Sequence, residues 1–167
     1  MTNQHANQAT EAPVAVKARM KSPAMVLPGV VQNIHQLMES ARAGGVPDAT
    51  LELVHLRVSQ INGCGYCVDA GAAQARKAGM SEERISAVAA WREAPYYTAS
   101  ERAALSLAEY ATRIADKSEP VPDDVWEEAI RYFDEKQMAS LVMWIAITNL
   151  FNRINVPVRQ PAGKLAG

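Results

Sequence analysis

The sequence predicts an all-α domain, and three features carry that prediction. Alanine occupies 29 of the 167 positions, whereas Trp, Tyr and Phe together occupy 10, a bias toward helix over sheet. Pro28, Pro47, Pro95, Pro120, Pro122, Pro157 and Pro161 punctuate the chain, and the segments between them read as helices. No Val/Ile/Thr-rich alternating run is present, and no Asn-Gly hairpin joins two such runs.

About seven helices are expected. Pro28 suits the first turn of a helix that runs to about Ala43 and is stopped by Gly44-Gly45. Pro47-Asp48 opens the second, which reaches about Ile61 before Asn62-Gly63 breaks it. The third begins at Cys64 and ends near Gly79. Ser81 followed by Glu82 and Glu83 starts a short fourth helix to Trp91. Thr98-x-x-Glu101 is a capping-box pattern, after which Ala104, Leu107, Ala108, Ala111 and Ile114 keep helical spacing. Asp123 and Asp124 favour the first turn of the sixth helix. The seventh spans about Glu135 to Arg153, and from Met138 to Phe151 it is apolar on every side. Such a helix is either the centre of the core or has its outer face covered by another subunit. Residues 1–25 and 161–167 are expected to be tails around a single domain at 26–160.

Composition excludes several roles. The 17 Lys+Arg nearly cancel the 18 Asp+Glu, leaving a net charge of -1 and no basic excess for nucleic acid or an anionic membrane. The most apolar run is too short and too interrupted to span a bilayer. The N-terminal residues form no apolar h-region, so no secretory signal is expected and the expected compartment is the cytosol. Two cysteines do not make a disulfide scaffold, and in the cytosol a C-x-x-C points to redox or metal chemistry.

The chemistry gathers between Leu51 and Cys67. On a helix, Glu52, His55 and Ser59 fall within a stripe roughly 60° wide. Leu51, Val54, Val58 and Ile61 flank it on one side, and Leu53 and Leu56 on the other. A carboxylate between apolar flanks lines a crevice, where desolvation favours proton transfer near neutrality. Cys64 and Cys67 share a face at a helix start, where unpaired N–H groups and the macrodipole stabilise a thiolate. Asn62-Gly63 turns the chain so that Glu52 or His55 can return over that face. Plainer roles stand beside these: thiols packed in a core, His55 satisfied by a helix neighbour, and Glu52 paired with Arg57 or Arg76. A metal site would need two further ligands. His35 and His55 lack ligand-like spacing, so no metal is expected.

These residues resemble the AhpD-like alkylhydroperoxidases of the carboxymuconolactone decarboxylase superfamily over roughly residues 26–160. The signature is Glu52, eleven residues, then Cys64-x-x-Cys67, with Ser59-Gln60-Ile61-Asn62-Gly63-Cys64 between. Trp91-Arg92-x-x-Pro95, Thr98-x-x-Glu101-Arg102-Ala103-Ala104-Leu105 and Asn149-x-x-Asn152-Arg153 are similar to its single-domain members. The resemblance implies a helical homo-oligomer, commonly a trimer or hexamer. It also implies thiol-dependent reduction of hydroperoxides, an antioxidant role, without haem, flavin or metal. Carried over by position, Cys67 attacks the hydroperoxide, Cys64 resolves the sulfenic acid, and Glu52 moves protons. A dithiol or lipoyl-type partner then reduces the disulfide.

One motif position departs. The family pattern C-x-x-C-x-x-x-H places a His where this chain has Gly71, and Tyr66 stands where some members carry a second His. His55, one turn from Glu52, is the nearest replacement. Gly71→His is therefore expected to raise activity if the imidazole fits. The alternative is a non-redox, decarboxylase-like enzyme or scaffold in which the dithiol is incidental.

Overall fold

The computed structural model describes residues 14–163. Of the two expected tails, residues 1–13 and 164–167 lie outside the described residues. Eight α-helices and no strand are present among the described residues: α1 (Pro23–Val26), α2 (Val30–Arg42), α3 (Asp48–Ile61), α4 (Gly65–Lys77), α5 (Glu82–Ala87), α6 (Ala99–Thr112), α7 (Asp123–Ile130) and α8 (Glu135–Asn155). The all-α expectation holds, with one correction of count. Proline opens a separate one-turn helix at Pro23, ahead of the first expected one, so the C-x-x-C stands at the start of the fourth helix rather than the third. The segment before α1 is tied to the far end of the chain: the Arg19 N–H donates to the Val158 carbonyl at 2.8 Å, and its guanidinium donates to the Pro157 carbonyl at 2.9 Å.

Helix α3 is the axis of the molecule, and α4, α6 and α8 all pack on it. Its two apolar flanks feed two separate cores. Leu51, Val54 and Val58 join Leu107, Leu141 and Trp144 in one, and Leu53 and Leu56 join Ala75, Val88, Trp91 and Leu105 in the other. Burial on both sides fixes the rotation of α3, so the polar stripe between the flanks must face the gap left by α2, α4 and α8.

The ends of the helices follow their sequence signals. Thr98 and Glu101 form the reciprocal capping box, and Asp134 with Gln137 forms a second one. The short helix after Ser81 tightens into a 3-10 turn at Val88–Ala90. Along α8, Met138, Leu141, Trp144, Ile145 and Ile147 are buried, while Val142, Met143 and Leu150 face outward.

Candidate active site

The turn between α3 and α4 is built to present two thiols. Gly63 takes a left-handed φ of 65°, which a side chain would disfavour. The Cys64 N–H then reaches the Ser59 carbonyl at 3.0 Å and the Gly63 N–H reaches the Gln60 carbonyl at 3.2 Å. This is the Schellman pattern of helix termination. Cys64 follows at once as the N-cap of α4, its Sγ accepting the Cys67 N–H at 3.3 Å. Cys64 and Cys67 are disulfide-bonded, with their Cα atoms 5.3 Å apart. Asn62 fastens this turn to α8: its Nδ2 donates to Asn149 Oδ1 at 3.0 Å and Asn152 Oδ1 at 2.8 Å, and Asn152 donates to buried Ser59 Oγ at 3.2 Å.

Beside the turn lies a crevice of about 450 Å³ between α2, α3, α4 and α8. Glu52, His55 and Cys67 line it, whereas Cys64 does not. A larger groove of about 700 Å³ beside α1 contains no cysteine and no part of the polar stripe of α3. Met38, Trp144 and Phe151 give the crevice apolar walls, and Tyr66 borders it as well.

Glu52 is buried, and its carboxylate accepts from Arg42 Nη2 at 2.8 Å. Arg42 also pairs with Asp48 and lies over the Trp144 ring, 4.5 Å from its centroid. Trp144 is itself held by its Nε1–H donating to the Leu51 carbonyl at 2.8 Å. The two arginines suggested from sequence as partners of Glu52 are engaged elsewhere, Arg57 with Glu109 at 2.6 Å and Arg76 with Glu82 at 2.6 Å. For Glu109, burial pushes the carboxyl pKa up, but hydrogen bonds from Trp91 and Arg92 and the Arg57 charge outweigh it and hold the pKa below the usual range.

His55 contacts the dithiol helix directly. Its Nε2 lies 3.1 Å from the Cys67 carbonyl oxygen, which can only accept, so Nε2 carries the hydrogen and Nδ1 keeps a lone pair. Burial pulls its pKa below the ordinary value, against the opposing influence of Glu52 and the Cys67 carbonyl. The ring is therefore neutral at pH 7, and burial makes it a weaker base than an exposed imidazole.

The ring also occupies the space above Gly71. A Cβ built on Gly71 would stand 2.6 Å from His55 Cδ2 and 3.1 Å from Leu56 Cδ2. An imidazole thus reaches the Cys67 carbonyl from α3 across the space above Gly71. The expectation that Gly71→His would complete the site is corrected here, because the space it needs is filled.

Two neighbours carry no signal in the sequence. Arg42 comes from α2 and meets Glu52 only through tertiary packing. Asn155, the last residue of α8, donates from Nδ2 to Cys67 Sγ at 3.4 Å. Helical periodicity within one element cannot reveal either. Among the described residues, no group of three or more His, Cys, Asp or Glu gathers at metal-binding distance, and no helix is long and apolar enough to cross a membrane.

Residues 28–110 match the model of the carboxymuconolactone decarboxylase family. The uncharacterized protein YdfG of Bacillus subtilis is 42% identical over 107 residues, 64% of this chain and 71% of its own length. An alkyl hydroperoxide reductase AhpD of a Methylobacterium species is 50% identical over 50 residues, 30% of this chain and 28% of the reductase. The crystal structure of ATU0492 from Agrobacterium tumefaciens, a protein of unknown function, superposes with a TM-score of 0.80 at 32% identity, covering 87% of this chain and 98% of that one. With an all-helical fold and a C-x-x-C at the head of α4, the chain belongs to the carboxymuconolactone decarboxylase family as one of its AhpD-like members.

Proposed function

We propose that this protein reduces organic hydroperoxides through the Cys64/Cys67 dithiol. The observation that carries the reading is a bonded cysteine pair whose second sulfur borders an apolar-walled crevice also lined by Glu52 and His55. In the reduced protein, Cys67 gives its proton to the Glu52–His55 pair and its thiolate attacks the terminal oxygen of the hydroperoxide. The S–O bond forms, the O–O bond breaks, and the departing alkoxide takes the proton to leave as alcohol. Cys64, its Sγ at the head of α4, then attacks the Cys67 sulfenic acid and releases its proton. The S–S bond forms, the S–O bond breaks, and the hydroxide leaves protonated as water. One hydroperoxide and two thiols thus yield one alcohol, one water and one disulfide. A dithiol or lipoyl-type reductant returns the disulfide to two thiols, with no haem, flavin or metal required.

His55 supplies the imidazole that the family motif places at position 71. Its Nδ1 lone pair can take up the Cys67 proton in passing, with the nearby Glu52 charge offsetting part of the burial that opposes an imidazolium. Thiol titration before and after one equivalent of cumene hydroperoxide tests the reading. Loss of two thiols per chain, recovered with dithiothreitol, is expected. Unchanged thiols would favour a non-redox, decarboxylase-like activity on the same fold.

We also propose that the chain acts as a homo-oligomer. Leu37 of α2, Val142 and Met143 of α8, and Trp126 and Ile130 of α7 are exposed apolar residues. They border two grooves that share Ala139 of α8, forming one continuous apolar face.

A further inference from the structure

Cys67 Sγ has a hydrogen-bond donor that the proton relay above does not use. Asn155 is 6% exposed, and its Nδ2 lies 3.4 Å from that sulfur. The backbone at Asn155 is held in place. The Asn155 backbone carbonyl accepts the Gln160 N–H at 3.1 Å, and Asn152, one turn earlier, is held by Asn62. A sulfur in a disulfide is a weak acceptor, so this contact contributes little in the oxidised state. A thiolate in the same place is a strong, charged acceptor, and the same amide then makes a charge-assisted bond. The contact therefore favours the reduced, ionised state of Cys67 over both the thiol and the disulfide.

The two sulfurs are served differently. Cys64 Sγ is met by the Cys67 backbone N–H at the head of α4. Cys67 Sγ is met by a side chain from α8 that itself lines the crevice. Around the crevice, the titratable groups are His35 and Arg42 from α2, Glu52 and His55 from α3, and Tyr66 from α4. From α8 come Trp144, Phe151 and Asn155, none of which titrates. An uncharged substitution at Asn155 removes the donor and leaves each of those groups in place.

We propose that Asn155 is a catalytic residue that hydrogen-bonds the Cys67 thiolate and so holds Cys67 in its reactive, ionised state. This rests on the reading of Cys67 as nucleophile, but its test needs no peroxide. In a Cys64→Ser background, the rate of Cys67 alkylation by iodoacetamide is followed against pH. Asn155→Ala and the near-isosteric, uncharged Asn155→Leu should each move the midpoint up by about one pH unit, a roughly tenfold loss of rate at pH 7, the size expected for one hydrogen bond to a charged group. A folded variant with an unchanged midpoint overturns the proposal. A second measurement uses the Cys64→Ser protein with Asn155 intact, in which Cys67 is the sole thiol. The side-chain amide protons of Asn155, observed by NMR, should shift with the same midpoint as the thiolate absorbance of Cys67. Amide protons that stay still across that titration also overturn it. Should alkylation behave as expected while peroxide leaves both thiols intact, the role of Asn155 stands and the peroxidase reading fails.

Discussion

The imidazole of His55 stands where a side chain on Gly71 would have to go: its Cδ2 is 2.6 Å from the position of a residue-71 Cβ. Glycine at 71 and histidine at 55 are thus one arrangement, in which α4 gives up its side chain so that the ring on α3 can reach the Cys67 carbonyl.

Gly71→His alone is expected to displace His55 and destabilise the protein. Overpacking a filled site costs about 1–3 kcal/mol, more than the helix propensity recovered by replacing glycine. Urea denaturation should show the loss, and Cys67 oxidation should slow. The paired exchange His55→Ala with Gly71→His clears the space first. It should oxidise Cys67 faster than His55→Ala alone; an equal rate would show that an imidazole from α4 cannot serve this crevice.

Glu52→Gln tests the other half of the relay. The stability change should be small, because Arg42 keeps Asp48 and the Trp144 ring as partners. The rate of Cys67 oxidation should fall by about 10²–10⁴-fold, the usual contribution of a positioned acid/base group. A rate within twofold of the unmutated protein in stopped-flow measurements would make Glu52 a structural carboxylate.

The cysteine roles separate by mass spectrometry. Cys67→Ser should abolish hydroperoxide consumption. Cys64→Ser should still form a sulfenic acid on Cys67, trapped with dimedone, but close no disulfide. The crevice bears on the assignment, since Cys67 lines it and Cys64 does not. A dimedone adduct on Cys64 in the Cys67→Ser protein, formed at the full rate, would reverse it.

Much of this was legible in the sequence because it is local. The stripe of Glu52, His55 and Ser59 between two apolar flanks is set by the helical period, and the structure separates those flanks into two cores. The C-x-x-C at a helix start and the Thr98 capping box are equally local. What the sequence did not reveal joins distant elements. Arg42 meets Glu52 only because α2 packs beside α3, and Asn155 meets Cys67 across 88 positions. The filling of the space at Gly71 depends on the rotation of α3 and its separation from α4. No spacing rule within either helix encodes it.

The exposed apolar face predicts self-association. Val142 and Met143 on the outer face of α8 are about two-fifths exposed, at 41% and 39%, and Leu37 on α2 lies at 38%. Light scattering at micromolar concentration should give a multiple of the 18.1 kDa chain mass. Met143→Glu should shift the assembly toward the single chain without reducing helix content. A single-chain mass for the unmutated protein would reject the interface.

The depressed pKa of His55 carries a stability consequence with a definite sign. In the unfolded chain the ring titrates near its ordinary value of about 6.5. In the folded protein burial holds the pKa lower, so between the two values the unfolded state binds a proton that the folded state refuses. The contribution is therefore flat above about pH 6.5 and turns unfavourable as the pH falls through that value. Its slope approaches about 1.4 kcal/mol per pH unit until the folded-state pKa is reached. His55→Gln removes the titration, while the other histidines remain as a common background. Urea midpoints at pH 8, 7, 6 and 5 should show the unmutated protein losing stability relative to His55→Gln as the pH drops. If the unmutated protein instead gains on the variant in acid, the ring is stabilised as a cation by Glu52. It could not then be the neutral base that accepts the Cys67 proton at pH 7.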